Sequence, residues 1–276
     1  MQTTNTIDYL QINKLSRLHN GHDIFFCKTD YILQDFAAIS KLDRDVVLIT
    51  GNSDYAIPDE AVNQCPDNVK VWYAQNCLSN NEKMKPLPIG IENKEVALRE
   101  GHGIGYLDRV TKKENIFNNL KSLSPYSKIT ADKFMYSNFV VRNNPTHRSL
   151  AKEISIKQPY IDWEEPNLSL ERLFLNFLEY KMILCPIGNG IDTHRLWETL
   201  YCGRIPVTIK VGDFKLYSLY EQLPIVILDG YSELMQQESI QEKYNNVISK
   251  KYNIDMLSTQ YWIESVISDA KNLNHR

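Results

Sequence analysis

The sequence predicts an α/β protein built on parallel sheets. Short aliphatic runs lack the strict alternation of half-exposed strands. Segments with helical apolar spacing separate them, and turns rich in glycine or asparagine follow several of them. Runs of this kind suit strands covered by helices on both faces, the doubly wound arrangement.

In chain order, "DIFFCK" (23–28), "VVLIT" (46–50) and "VKVWYA" (69–74) read as strands, with "YILQDFAAISKL" as a helix after the first. A polar stretch from about Lys112 to Lys133, containing "KSLSPYSKITADK", interrupts the pattern. The domain boundary is therefore set near residue 125, giving units 1–125 and 126–276. The second unit reads as strand "NFVVR", helix "THRSLAKEI", helix "SLERLFLNFLEY", strand "MILC", helix "THRLWETLYCG", then strands "IPVTI" and "PIVIL". A helical region closes the chain from about Ser232. There Leu257, Tyr261, Trp262, Val266 and Ile267 fall at helix-face spacing and are expected to pack across one of the domains.

With 276 residues and 43% hydrophobic content, the chain can bury a full core. A formal charge of -3 argues against a general nucleic-acid binder, which needs a basic surface to neutralise phosphates. There is no basic start followed by an apolar core at the N-terminus, and no run of ~18 apolar residues. The expectation is a cytoplasmic protein without a transmembrane segment, at most peripheral to a membrane. Cys27, Cys65, Cys77, Cys185 and Cys202 form neither a CxxC pair nor a zinc-ligand spacing, so they read as reduced, mostly buried thiols.

The chemistry concentrates in "CPIGNGIDTHRLWE" (185–198). A strand runs into Pro186, Gly188, Asn189 and Gly190, and a helix starts at Asp192 or Thr193. Ligands collect at the carboxyl ends of parallel strands. Glycines let the backbone turn and approach a ligand, and the helix start offers unpaired N–H groups and a positive dipole end. A phosphate or diphosphate suits that combination. Arg195 is placed to bridge phosphate oxygens, and Glu198 to accept from ribose or sugar hydroxyls. Asp192 and Thr193 either touch the ligand or cap the helix, and His194 either contacts it or pairs with Glu198 one turn on. The plain alternative is a capped surface helix with a solvated charged face.

"VVRNNPTHRS" (140–149) repeats the layout: Arg142, Asn143 and Asn144 precede a helix opened by Pro145 and Thr146. Arg148 lies in its first turn, where a cation opposes the helix dipole unless an anion is near. It is a second candidate phosphate ligand, with a salt bridge to a neighbouring acid as the alternative.

The block "KMILCPIGNGIDTHRLWETLYCGRIPV" (181–207) resembles the signature of exostosin-like glycosyltransferases and related bacterial and viral enzymes, K-F-x-L-x-P-x-G-x-G-x-D-x-x-R-x-x-E-x-L-x-x-G-x-x-P-V. Weaker echoes are "LITGNSD", "VWYAQN", "PLPIGIEN" and "NNPTHR". The resemblance implies the GT-B fold, two Rossmann-like domains facing a central cleft. The C-terminal domain would hold a nucleotide-sugar and the N-terminal one the acceptor. Asp192, Arg195 and Glu198 fall on motif positions associated with the donor.

The implied activity is transfer of a sugar from a nucleotide-sugar, expected to be UDP-linked, to the hydroxyl of an oligosaccharide or glycan acceptor in polysaccharide biosynthesis. Inversion at the anomeric carbon is expected by family analogy. The alternatives are a fucosyltransferase-like enzyme using a GDP-sugar and a non-catalytic nucleotide- or glycan-binding module. Attack by an acceptor hydroxyl requires a general base in the cleft. Asp54, beyond "VVLIT", is best placed, Glu92 is second, and His22 lies at the wrong end of its strand. Asn52, Ser53 and Asn76 are expected to hold the acceptor, although "GNSDY" also reads as a turn bonded to its own backbone. A metal-dependent GT-A enzyme would need an acidic pair at a strand's carboxyl end. The only DxD, Asp43-Arg44-Asp45, precedes its strand. Neither a metal nor another cofactor is therefore expected.

Overall fold

A computed structural model describes residues 8–94, 104–120, 126 and 129–274. The boundary expected near 125 lies outside the described residues.

The first sheet comprises β1 (Ile24–Lys28), β2 (Val46–Gly51), β3 (Val69–Ala74) and β4 (Met84–Pro86), all parallel in the order β1-β2-β3-β4. Successive side chains of β2 point to opposite faces. Val46 and Leu48 pack with Ile32, Phe36 and Ile39 of α1 (Ile32–Ile39) and Val62 of α2 (Asp59–Asn63). Val47 and Ile49 pack with Trp262, Val266 and Ala270. Those residues belong to the terminal helix, Thr259–Asn274, which lies against β2 and β3. The last helix of the unit 126–276 thus returns to cover the first sheet.

The polar stretch also needs correction. Helix α3 (Ile104–Leu120) runs into it, burying Val110, Lys113 and Phe117 while Thr111, Lys112 and Asn115 face water. A lysine on the buried face hides the helix from hydrophobic periodicity.

The second sheet has five parallel strands in the order β6-β5-β7-β8-β9: β5 (Lys133–Ser137), β6 (Ile161–Trp163), β7 (Tyr180–Leu184), β8 (Ile205–Ile209) and β9 (Val226–Leu228). Helices α4 (Pro145–Lys157), α5 (Leu170–Glu179), α6 (His194–Tyr201), α7 (Leu216–Tyr220) and α8 (Gln237–Ile248) connect or flank them, and α9 is the terminal helix. Strand order reverses at β5, so a crevice opens between the loops that leave β5 and β7. "NFVVR" is not a strand; β5 lies five residues earlier. Phe139 is buried, but the Val140 carbonyl accepts from the Arg148 guanidinium at 2.8 Å instead of joining a ladder. Asn144 caps α4, accepting from the His147 N–H at 3.3 Å, with Pro145 in the first turn.

One buried cluster joins Val47, Ile49 and Tyr73 of the first sheet to Ile183, Leu196 and Trp197 of the second unit. The two units thus share a continuous core.

Candidate functional site

A cleft of about 280 Å³ remains where that core stops. One wall is the switch point, with Asn143 and Arg148 beyond β5 and the segment Gly188–Arg195 beyond β7. The other wall is Asp54 beyond β2, Ile89 and Glu92 beyond β4, and Arg109 and Lys113 of α3.

Arg148 reaches back from the first turn of α4 into this corner. Its Nε donates to the Ile187 carbonyl at 2.8 Å and its Nη1 to the Val140 carbonyl, with the guanidinium over the Phe139 ring. It forms no ion pair among the described residues, so the expected salt-bridge alternative is not what is seen. Burial, then the nearby Arg195 charge, draws its pKa down to about 10. Gly188 leaves room for this approach, since a β-carbon there would stand 2.9 Å from Arg148 Nη2.

Arg195 lies in the first turn of α6. Its Nε donates to Glu198 Oε2 at 3.2 Å and its Nη1 to the Asn138 carbonyl. Three of its five N–H groups therefore stay available. Glu198 lines the cleft, as expected, but exposes little surface to it. It is buried and shares Lys113 with Glu92. Burial pushes both carboxyls up, but the charge and hydrogen bond of Lys113, joined by His194 at Glu92 and by Arg195 at Glu198, together outweigh it, and both are held below the usual carboxylate range. Glu92 Oε2 is buried with no hydrogen-bond partner among the described residues.

Asp192 is a tie between the units, not an exposed ligand. Its carboxylate accepts from the Ile89 N–H (2.7 Å), Trp197 Nε1 (2.8 Å) and the Tyr220 hydroxyl (2.7 Å). Burial nevertheless raises its pKa, because the donors only partly offset desolvation. Asn76, expected at the acceptor, is fully buried and serves the same joint. It accepts from the Asp192 N–H at 3.0 Å and donates to the carbonyls of Ser53 and Asp54. Gly190 exists for this contact, since a β-carbon would meet Asn76 Nδ2 at 2.6 Å.

The remaining candidates divide between turn and cleft. Asn52, in the left-handed region at φ 57°, bonds Asn13, Gln75 and Asn93. Ser53 Oγ accepts from the Tyr55 N–H, as the turn alternative requires. Asp54 is exposed at the cleft and accepts from Asn189 Nδ2 at 3.1 Å. Asn143 lines the cleft, whereas Arg142 is exposed outside its lining and Asn144 donates to the Gly188 carbonyl. Pro186 is buried beneath Arg148. Thr193 holds the N-cap position of α6 without a side-chain cap bond. His194 Nδ1 donates to the Gly90 carbonyl at 2.8 Å and does not bond Glu198. His22 and the Asp43–Asp45 segment sit at the amino ends of β1 and β2, remote from the cleft lining.

Arg109 and Lys113 are the site residues that sequence reasoning missed. Their spacing places them on one face of α3. A basic pair one turn apart was the available signal. All five cysteines are buried free thiols, and no described helix is long and apolar enough to cross a membrane.

No family model and no curated protein matches this chain. Among solved structures, a variant of the wall teichoic acid polymerase TagF is similar over 92% of this chain and 90% of that chain, at 11% identity and a TM-score of 0.25. A likeness that weak carries no argument about chemistry. The structure itself defines an α/β chain with two parallel sheets and a polar cleft at the switch point of the second.

Proposed function

We propose that the chain is a glycosyltransferase of GT-B type that binds a nucleotide-sugar against the second sheet and passes the sugar to a glycan hydroxyl. One observation carries the reading: Arg148 is a buried cation with no acidic partner among the described residues, beside Arg195 at the start of α6. Burying a cation unpaired is costly, and a diphosphate seated at the helix N-terminus would supply the missing charge. The resemblance of 181–207 to exostosin-like transferases supplies the substrate class.

In this reading Arg195 grips the diphosphate with its spare N–H groups, and Arg148 fixes the loop geometry and adds charge. The departing diphosphate is stabilised by these cations and by helix amides. Contact with a sugar hydroxyl is assigned to the cleft-lining carboxylates Glu198 and Glu92. The cleft volume is close to the lower end of the ~300–1,000 Å³ usual for small-molecule sites. It suits a diphosphate with one sugar ring, the nucleoside lying toward the mouth.

The test is calorimetric titration with UDP, GDP and their sugars. The expected outcome is nucleotide binding that falls at least ~10-fold in Arg195→Ala, the loss of one charge-assisted contact, with an unchanged far-UV spectrum. Equal affinity in the variant would defeat the reading. Binding without sugar transfer would make the chain a binding module.

A further inference from the structure

We infer that His194 is the general base that takes the proton from the attacking hydroxyl, an assignment that rests on the glycosyltransferase reading of this cleft. A carbonyl can only accept, so the 2.8 Å contact with Gly90 places the proton on Nδ1. Nε2 of the neutral ring is then a lone-pair acceptor, with no partner among the described residues.

The orienting carbonyl is itself fixed. Gly90 has φ +66°, a β-carbon there would stand 2.1 Å from the Leu10 carbonyl, and the next residue, Ile91, donates its N–H to that carbonyl at 2.9 Å. A base whose second nitrogen is held by a rigid acceptor has the arrangement that hydroxyl activation requires.

Position supports the same role. Consecutive helical residues project ~100° apart. His194 reaches Gly90 of the first unit while Arg195 reaches Asn138 of the second. A reacting carbon between those walls has the base on one side and the diphosphate-binding cation on the other. Nε2 takes the hydroxyl proton and the oxygen's electron pair bonds to the anomeric carbon. The bond from that carbon to the diphosphate oxygen breaks, its pair leaving with the diphosphate.

The two carboxylates suit this less. Glu92 is buried and paired with Lys113, and Asp54 is exposed and bonded to Asn189. Glu92 and Asp192 lie within electrostatic reach of His194, and the cations Arg109, Lys113, Arg148 and Arg195 line the same cleft.

The experiment compares the wild type with His194→Asn, whose amide can keep the Gly90 bond but cannot take a proton. Release of UDP or GDP from a panel of UDP- and GDP-sugars is followed with saccharide acceptors and with water alone. Turnover should drop ~10²–10⁴-fold with affinity for UDP or GDP unchanged, and the acid limb of the wild-type kcat/KM profile should vanish. Undiminished turnover would reduce His194 to a tie between the units. A wild-type profile without an acid limb would overturn the assignment even if the variant fails to fold, as would nucleotide binding with no release from any sugar. A wild type that binds neither UDP nor GDP would instead refute the glycosyltransferase reading itself.

Discussion

Replacing Lys113 by Met tests the most unusual element of the cleft wall. Lys113 is 1% exposed at its side chain and donates to one oxygen each of Glu92 and Glu198. Methionine keeps the length and apolar stem but removes the charge. Glu198 retains Arg195, whereas Glu92 loses its only ion pair among the described residues and already has one unpartnered oxygen. Breaking a buried pair from one side costs about 3–5 kcal/mol. At ~2–4 °C per kcal/mol for a chain of this size, the midpoint should fall by roughly 6–20 °C in a thermal melt.

The pH dependence should change with it. In the wild type both folded carboxyls lie below their ordinary values. Their contribution is complete above the unfolded pKa of ~4.3 and lost as pH falls through the depressed folded values. Without Lys113, burial pushes Glu92 upward, so the variant should gain stability as pH drops from neutral toward ~5. Adding Glu92→Gln should recover part of the loss. A midpoint shift under ~2 °C, or an unaltered pH profile, would refute a buried charged cluster at this wall.

Gly190→Ala forces a β-carbon against the buried Asn76. It should cost ~1–3 kcal/mol, measured by urea unfolding, and weaken nucleotide binding as the loop shifts. Turnover by the wild type should survive EDTA; activity lost on chelation and restored by Mn²⁺ would count against stabilisation of the leaving group by Arg195 and Arg148. The Arg195→Ala and His194→Asn experiments complete the set.

Particular residues show which features were readable in the sequence. "IPVTI" is β8 residue for residue, because a short β-branched run buried on both sides has few other uses. The loop and helix 185–201 were located correctly, since glycines and a polar helix start punctuate the chain wherever it goes. Partners distant in the chain are not legible in the sequence. Glu198 meets Lys113 across 85 residues and Asp192 meets Ile89 across 103, and no local pattern states which walls will face each other. Gly190 and Asn76 read as ligand contacts for the same reason: a conformationally permissive or polar residue at a strand's end serves a domain joint as well as a substrate. β4 and β6, each of three residues and partly polar, gave too little periodicity to read.

The return of α9 to the first sheet sets a timetable for synthesis. Tyr73 of β3 is made roughly 190 residues before Trp262, and the carbonyls of Asp8 and Tyr9 wait still longer for Thr259. At ~5–20 residues per second, the apolar face holding Val47 and Ile49 stays uncovered for roughly 10–40 s on a translating ribosome. The first half of the chain therefore cannot finish burying this face in the order in which it is made.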